Sequence, residues 1–377
     1  MNNKKAYLIY NQFIDSVTGE PSIGGIQTYI CDLASLFYGL GYRVLIVQKG
    51  AKDSSFEWNN YTIKNIGVRS DKLNAYRKKL ANFIAEELKE DDFLVFMTHT
   101  LNCKTKHNKT ISIQHGIYWD IPAATPKASS LIEYAFKSYR SWNEIKKVNL
   151  CKYCVAVDYN FLNWYKTLQY YQRTSICVIP NYSNVSDTPT VHKEDDRIKI
   201  LFARRFEQYR GTRIFADAAL KILKSHPNID ITFAGAGPDE NYLKEAFSSF
   251  ENVHFTRYKH GESATIHSQN DIAVVASVGS EGTSLSLLEA MASKCAVIAT
   301  SVGGLTNIIV DGYNGLISDI TSESLYDCLE KLINSKEFRN RLANNAFTTV
   351  RDGFSKKMWE KHWISMISAV EAKESKE

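Results

Sequence analysis

No stretch of about 18 uninterrupted apolar residues runs anywhere in the 377-residue chain, which argues against a membrane-spanning helix. Met1-Asn2-Asn3-Lys4-Lys5 leads straight into a short apolar strand, not into a signal-peptide core. The seven cysteines are odd in number and scattered, so a disulfide framework is not expected. Cys151-Lys-Tyr-Cys154 has no second pair to complete a zinc site and reads as structural. Repeats of solenoid period and low-complexity segments are absent. So is an Asp-x-Asp pair of the kind that holds a divalent cation beside a diphosphate. The net charge of +5 is too low, and recognition motifs too few, for a nucleic-acid-binding protein.

What remains is an ordinary globular composition, 44% hydrophobic and 23% charged. The length is enough for two to three domains. The charge is unevenly placed. Residues 1–190 hold 23 Lys and Arg against 16 Asp and Glu, a balance of +7, and residues 191–377 carry −2. A basic half and a near-neutral half imply separate domains with separate partners.

Short apolar runs alternate with helical patterns. Ala6–Tyr10, Arg43–Val47, Phe93–Met97, Thr110–Ile113, Val155–Val157 and Ile176–Ile179 read as strands, and Ile26–Leu40 as a helix stopped at Gly41. Pro180–Arg197, rich in Ser, Thr and Asn, reads as a linker. A second series follows. Its strands are Ile198–Ala203, Asp230–Ala234, His254–Thr256, Ile272–Val275 and Ala296–Ala299. Its helices are Thr212–Ser225, Glu240–Ser249, Leu285–Ala292 and others from Glu323 on. Such alternation predicts two α/β, Rossmann-like, doubly wound parallel-sheet domains. Ligands of such sheets bind beyond the strand carboxyl ends, so the expected site is a deep cleft between the two.

Five stretches carry chemistry. Ser280–Ala292 runs from a strand through a small-residue loop into a helix. The N–H groups around Gly282, Thr283, Ser284 and Leu285 make an anion site there that a diphosphate fits. Glu281 and Glu289 are acceptor-only carboxylates suited to the hydroxyl pairs of a ribose or a sugar, though a helix cap and a surface residue would look the same. Leu201–Gly211 follows the first strand of the second series. Its Arg205 and Arg210 can clamp phosphate oxygens, and a solvated basic loop is the alternative. Gly24 and Gly25 allow close backbone approach between the first strand and first helix. His115 ends the Thr110–Ile113 strand region, with His99 at a neighbouring strand end. Gly235 and Gly237 in Gly-Ala-Gly-Pro can admit a nucleotide, but the third glycine of a dinucleotide fingerprint is missing.

Together these stretches resemble glycosyltransferase family 4 (group 1), the retaining transferases of GT-B architecture, over nearly the whole chain. Glu281 and Glu289 stand at the family's E-x7-E spacing. Gly24-Gly25, His115, Ile179-Pro180-Asn181, Arg205 and Arg210, and Gly235–Pro238 precede them in the family's order. Arg210 stands where the family usually has Lys, Lys294-Cys295-Ala296 replaces Gly-x-Pro, Asn307 replaces a common Glu, and Tyr182 a usual Gly. The resemblance implies an acceptor-binding domain over 1–185 and a donor-binding domain over 192–356. A C-terminal helix, about 357–377, would return to the first domain. It implies that Arg205 and Arg210 hold the donor diphosphate, Glu289 the ribose, Glu281 the transferred sugar, and Gly25 the donor phosphates, with His115 near the sugar and the β-phosphate. The implied reaction moves a hexose-type sugar from a nucleotide sugar, a uridine diphosphate sugar by family frequency, to a glycan acceptor with retention. No metal or other cofactor is expected.

Basic residues concentrate with aromatics in the first half. Residues 69–153 hold 15 Lys and Arg against 9 Asp and Glu. Arg77, Lys78 and Lys79 lie on one helical pattern. Arg140, Lys146 and Lys147 interleave with Tyr134, Phe136, Tyr139 and Trp142. Such patches suit an anionic lipid surface, and equally the exposed face of a soluble enzyme. The expectation is a cytoplasmic enzyme, peripheral on the inner face of the membrane, that extends a lipid-linked glycan such as a bacterial capsule, O-antigen or other lipopolysaccharide. Two other readings stay open: a nucleotide-sugar epimerase on the same architecture, and a non-catalytic glycan-binding or scaffold protein.

Overall fold

The computed structural model describes residues 4–374 except 16–17, 23, 69–71, 118, 120–130, 169–172, 186–196 and 260. The chain divides into two compact units. One holds residues up to His115, Ala135–Ile179 and the stretch from Glu360 on; the other holds Gly116–Tyr134 and Pro180–Trp359. Most of the expected linker, 186–196, lies outside the described residues.

The first unit contains β1 (Lys5–Ile9), α1 (Gly25–Gly39), β2 (Arg43–Gly50), β3 (Ser54–Trp58), β4 (Tyr61–Gly67), α2 (Leu73–Glu87), β5 (Phe93–Phe96), β6 (Thr110–Gln114), α3 (Leu131–Val148), β7 (Tyr153–Ala156), α4 (Tyr159–Leu168) and β8 (Ser175–Val178). The sheet order is β3-β4-β2-β1-β5-β6-β7-β8. Every neighbouring pair is parallel except β3 and β4, an edge hairpin turned at Asn59, whose φ is 51°. The parallel-sheet expectation needs that correction. The half-exposed Phe56 and Trp58 gave the hairpin no continuous apolar run to be read from.

The second unit contains β9 (Ile198–Ala203), α5 (Thr212–Ser225), β10 (Ile229–Ala234), α6 (Glu240–Ala246), β11 (Val253–Thr256), α7 (Ser263–His267), β12 (Ile272–Val275), α8 (Leu285–Ala292), β13 (Ala296–Thr300), β14 (Leu316–Ser318), α9 (Ser322–Asn334) and α10 (Lys336–Gly353). Its sheet is parallel throughout, in the order β11-β10-β9-β12-β13-β14. Alternation along the strands splits the core into two layers. Ile200, Phe202, Ile272 and Val274 face α5 and a cluster of phenylalanines, with Phe202 and Phe215 stacked at 5.0 Å. Leu201, Ala203, Ala273 and Val275 face α8 and α10. Both layers are dry, as a sheet covered on both faces requires.

A last helix, α11 (Lys356–Glu374), contributes residues from Glu360 on to the first unit. Trp363 is fully buried and donates from Nε1 to the Tyr29 hydroxyl at 2.9 Å. Glu371 accepts from Tyr42 at 2.6 Å and Lys4 at 3.0 Å. Glu374 accepts from Tyr153 at 2.6 Å and Lys152 at 2.9 Å. Three aromatic hydroxyls from three parts of the unit thus end on one helix.

Candidate active site

In an open parallel sheet the strand order reverses at one place, and the loops there diverge to leave room for a ligand. In the second unit that place lies between β9 and β12. The two loops leaving it are those that hold the arginines and Glu281. β9 delivers Arg204 at its carboxyl end. The one-turn helix Gln208–Arg210 then delivers Arg210. β12 delivers Ser277 and the loop to Ser284, which opens α8.

Glu281 sits at the centre of this cluster. Its Oε1 accepts from Arg204 Nη2 at 2.7 Å and Arg210 Nη1 at 2.8 Å. Its Oε2 accepts from Arg204 Nη2 at 3.0 Å and from the Ser277 hydroxyl. Burial alone would raise its carboxyl pKa. The two guanidinium groups and Ser277 outweigh burial and hold it at about 2. The Ser284 hydroxyl turns to Glu281 at 3.2 Å, and no side chain caps α8. Neither Glu281 nor Ser284 therefore serves as the helix cap.

The loop is braced from several sides. Asn181 Nδ2 donates to the Thr283 carbonyl at 2.8 Å, and the Tyr209 hydroxyl donates to the Ser280 carbonyl. Gly303 has φ 50°, and a Cβ there would come within 2.4 Å of the Glu281 carbonyl oxygen. Gly235, at φ 153°, stands so close to Arg204 that a Cβ would come 2.1 Å from its carbonyl oxygen. Gly235 and Gly237, expected to admit a nucleotide, seat the Arg204–Phe206 backbone. Glu289 faces α7 and accepts from the Ser263 hydroxyl at 2.7 Å.

The first unit reverses its strand order between β1 and β5. Gly24 and Gly25 open α1 beyond β1, and no side-chain hydrogen bond caps the helix. His115 follows β6. Its Nε2 lies 2.8 Å from the Met97 carbonyl, which can only accept, so Nε2 carries the proton and Nδ1 is left as an acceptor. Burial lowers its pKa to about 4, so the ring is neutral. Tyr29 meets it edge to face at 5.5 Å. Nearby, Gln114 donates to the buried carboxylate of Glu144, and His99 lies 3.4 Å from Glu144. Burial, with Lys147 beside it, lowers the pKa of His99 to about 3.

Residues 186–349 match the model of the family described as glycosyl transferases group 1. Over that stretch the second unit is similar to a group 1 glycosyltransferase domain. An uncharacterized glycosyltransferase of Methanocaldococcus jannaschii is 28% identical over 357 residues, covering 90% of this chain and 92% of its own. Sucrose-phosphate synthase of Thermosynechococcus elongatus shares the fold with a TM-score of 0.75 at 14% identity, over 98% of this chain and 100% of its own. The Anabaena protein HepE, solved in complex with UDP-glucose, does so with a TM-score of 0.70 at 13% identity, over 97% and 99%. The fold is therefore that of the GT-B glycosyltransferases.

At this site the two sequence-chosen arginines part company. Arg210 reaches Glu281. Arg205 does not: its side chain is 72% exposed and paired with Glu207 at 2.8 Å. Arg204, which sequence reasoning passed over, is 4% exposed and takes the central place. Adjacent arginines at a strand end offer no pattern to choose between them. Ser277 and Ser263 were equally unsignalled.

The basic residues also sort themselves. Arg77 donates to the Asn102 carbonyl through Nε at 3.1 Å, and Lys79 to the Gly67 carbonyl, so both are tied to the unit's own backbone. Lys147 faces inward toward Arg77 and Glu144. Lys78, Arg140 and Lys146 are exposed. On α3, Leu131, Ile132, Tyr134, Phe136, Tyr139 and Trp142 are all exposed, with Lys146 lying 4.9 Å over the Trp142 ring. No helix among the described residues is long and apolar enough to cross a membrane. Burial pushes the Cys151 and Cys154 thiols up, away from the thiolate a metal would need. Among the described residues no group of three His, Cys, Asp or Glu is placed to hold a metal ion.

Proposed function

We propose that this glycosyltransferase moves a hexose-type sugar from a uridine diphosphate sugar to a hydroxyl of a lipid-linked glycan, with retention at the anomeric carbon and without a divalent metal. The observation that carries the reading is Glu281. An ionised carboxylate is held at the strand-order reversal by two arginines, at the mouth of a helix whose first N–H groups no side chain caps. Negative charge grows on the diphosphate as the glycosidic bond breaks. Arg210, the exposed Arg205 and the amides of Gly282, Thr283, Ser284 and Leu285 supply positive potential for it.

Glu289, already accepting from Ser263, binds the ribose hydroxyls, and Glu281 meets a hydroxyl of the transferred sugar. His115 keeps its acceptor Nδ1 for a sugar hydroxyl; a neutral ring with its proton spent on Met97 suits a hydroxyl better than a phosphate. Gly24 and Gly25 give the donor phosphates a backbone approach at the start of α1. No second carboxylate is assigned as a covalent nucleophile, so the acceptor hydroxyl attacks from the face of the departing diphosphate, which accepts its proton. The UDP-glucose held by HepE supports the choice of donor. The exposed aromatic and cationic face of α3 supports a peripheral membrane enzyme with a lipid-linked acceptor.

A thermal-shift panel of nucleoside diphosphates and nucleotide sugars tests the donor. Uridine nucleotides should stabilise the protein most, by about 2.7 kcal/mol at a hundredfold excess over Kd. Glu289→Ala should abolish that shift, and EDTA should leave it and the turnover unchanged. An isomerised sugar from donor alone would replace the transferase reading with an epimerase one.

A further inference from the structure

We propose that Arg204 is a positioning residue: it is the standing counter-ion of Glu281, and by staying with that carboxylate it frees Arg210 to turn to the donor diphosphate. The inference rests on the donor reading above and adds a division of labour between two arginines that bind one carboxylate.

The geometry distinguishes them. The Arg204 backbone extends the sheet, its N–H bonded to the Ala234 carbonyl at 3.1 Å, and Gly235 closes over its carbonyl. Its guanidinium is buried and spent: Nη1 donates to Ser277 at 2.9 Å and Nη2 bridges both oxygens of Glu281. Ser277 closes the ring by donating in turn to Glu281. Arg210 lies on a one-turn helix, about a third exposed, and gives Glu281 a single bond from Nη1. It is the arginine that can leave.

Charge makes the arrangement necessary. If Arg210 were the only counter-ion, its departure would strand a buried carboxylate, and that uncompensated charge would cancel much of what the diphosphate gains. With Arg204 in place the carboxylate stays compensated through the exchange. The two guanidinium groups and Ser277 are what hold Glu281 ionised against its burial.

A double-mutant cycle read by UDP binding tests this, using the full chain. Arg204→Met should weaken UDP binding at least about tenfold in the natural background, because Arg210 is then pinned to Glu281. It should have less than about a twofold effect in Glu281→Gln, where no charge is left to pin it. A role in simply holding the fold would move both backgrounds alike. Should Arg204→Met fail to fold, Arg204→Lys in the same two backgrounds carries the test. It keeps the charge without the two-oxygen grip and should weaken binding about threefold in the first background alone. Equal losses in both backgrounds, or no loss in the first, overturn the proposal while leaving the donor reading intact. A natural protein that binds no nucleoside diphosphate overturns the donor reading and this proposal with it.

Discussion

The strand carboxyl ends of the two sheets share a topology and carry opposite electrostatics. In the second unit, Arg204 and Arg210 bind Glu281 and hold its carboxyl at about 2. In the first, His99 and His115 are kept neutral, at about 3 and 4, and their hydrogen bonds go to a carbonyl and to a buried Gln–Glu pair. The same switch point can therefore be a charged clamp or a neutral, orienting surface, and side chains at a few loop positions decide which. A leaving diphosphate needs the first kind. A neutral acceptor such as Nδ1 of His115 suits a hydroxyl, as the carboxylates of Glu281 and Glu289 also do.

The largest test of that contrast is Glu281→Gln. It should lower turnover by on the order of a hundredfold or more, and it should also lower the unliganded melting temperature, because the buried Arg204 guanidinium loses its counter-ion. His115→Ala should be milder, about ten- to a hundredfold in kcat, because it removes orientation and not charge. Equal losses would break the distinction.

Acid stability sharpens it. For His115 the folded pKa of about 4 lies below its ordinary 6.5. Between those values the unfolded chain binds the proton and the folded chain does not, so stability falls as pH drops from 6.5 toward 4. For Glu281 the folded pKa of about 2 lies below its ordinary 4.5, so its contribution is present above pH 4.5 and is lost only as pH falls toward 2. Melting temperature against pH should slope between 6.5 and 4.5. His115→Gln should lessen that slope, with the buried His99 keeping part of it, and Glu281→Gln should leave it as it is.

The smallest effect is expected on the outer surface of the first unit. Affinity for anionic vesicles at low salt should fall several-fold for Arg140→Ala and for Lys146→Ala taken singly, at about 1 kcal/mol for each cation near the lipid. Arg77→Ala should not change it, since that side chain is spent on Asn102.

Much of this was legible in the sequence. Thr212–Ser225, Ile272–Val275 and Leu285–Ala292 were readable to the residue because buried parallel strands are continuous apolar runs and covering helices keep a single apolar stripe. The β3–β4 hairpin and the short α7 and β14 were not, because half-exposed or very short elements leave no such run. At the site, Arg210 meets Glu281, and Glu289 turns to Ser263 on α7. The choice of Arg204 over Arg205 was not legible, because which of two adjacent side chains turns inward depends on what Ser277 and Glu281 offer from another strand, and chain order does not encode that meeting.

The bonds from α11 to Tyr29, Tyr42 and Tyr153 impose an order on biosynthesis. The second unit's sheet is drawn from one uninterrupted stretch and can close while the ribosome is still working. The first unit's eighth strand ends at Val178, yet Trp363, which steadies Tyr29 against His115, is translated more than 180 residues later. The half of the molecule made first is thus the half completed last. Until then the Tyr29 surface that Trp363 covers stays open, which exposes the nascent chain to misassembly.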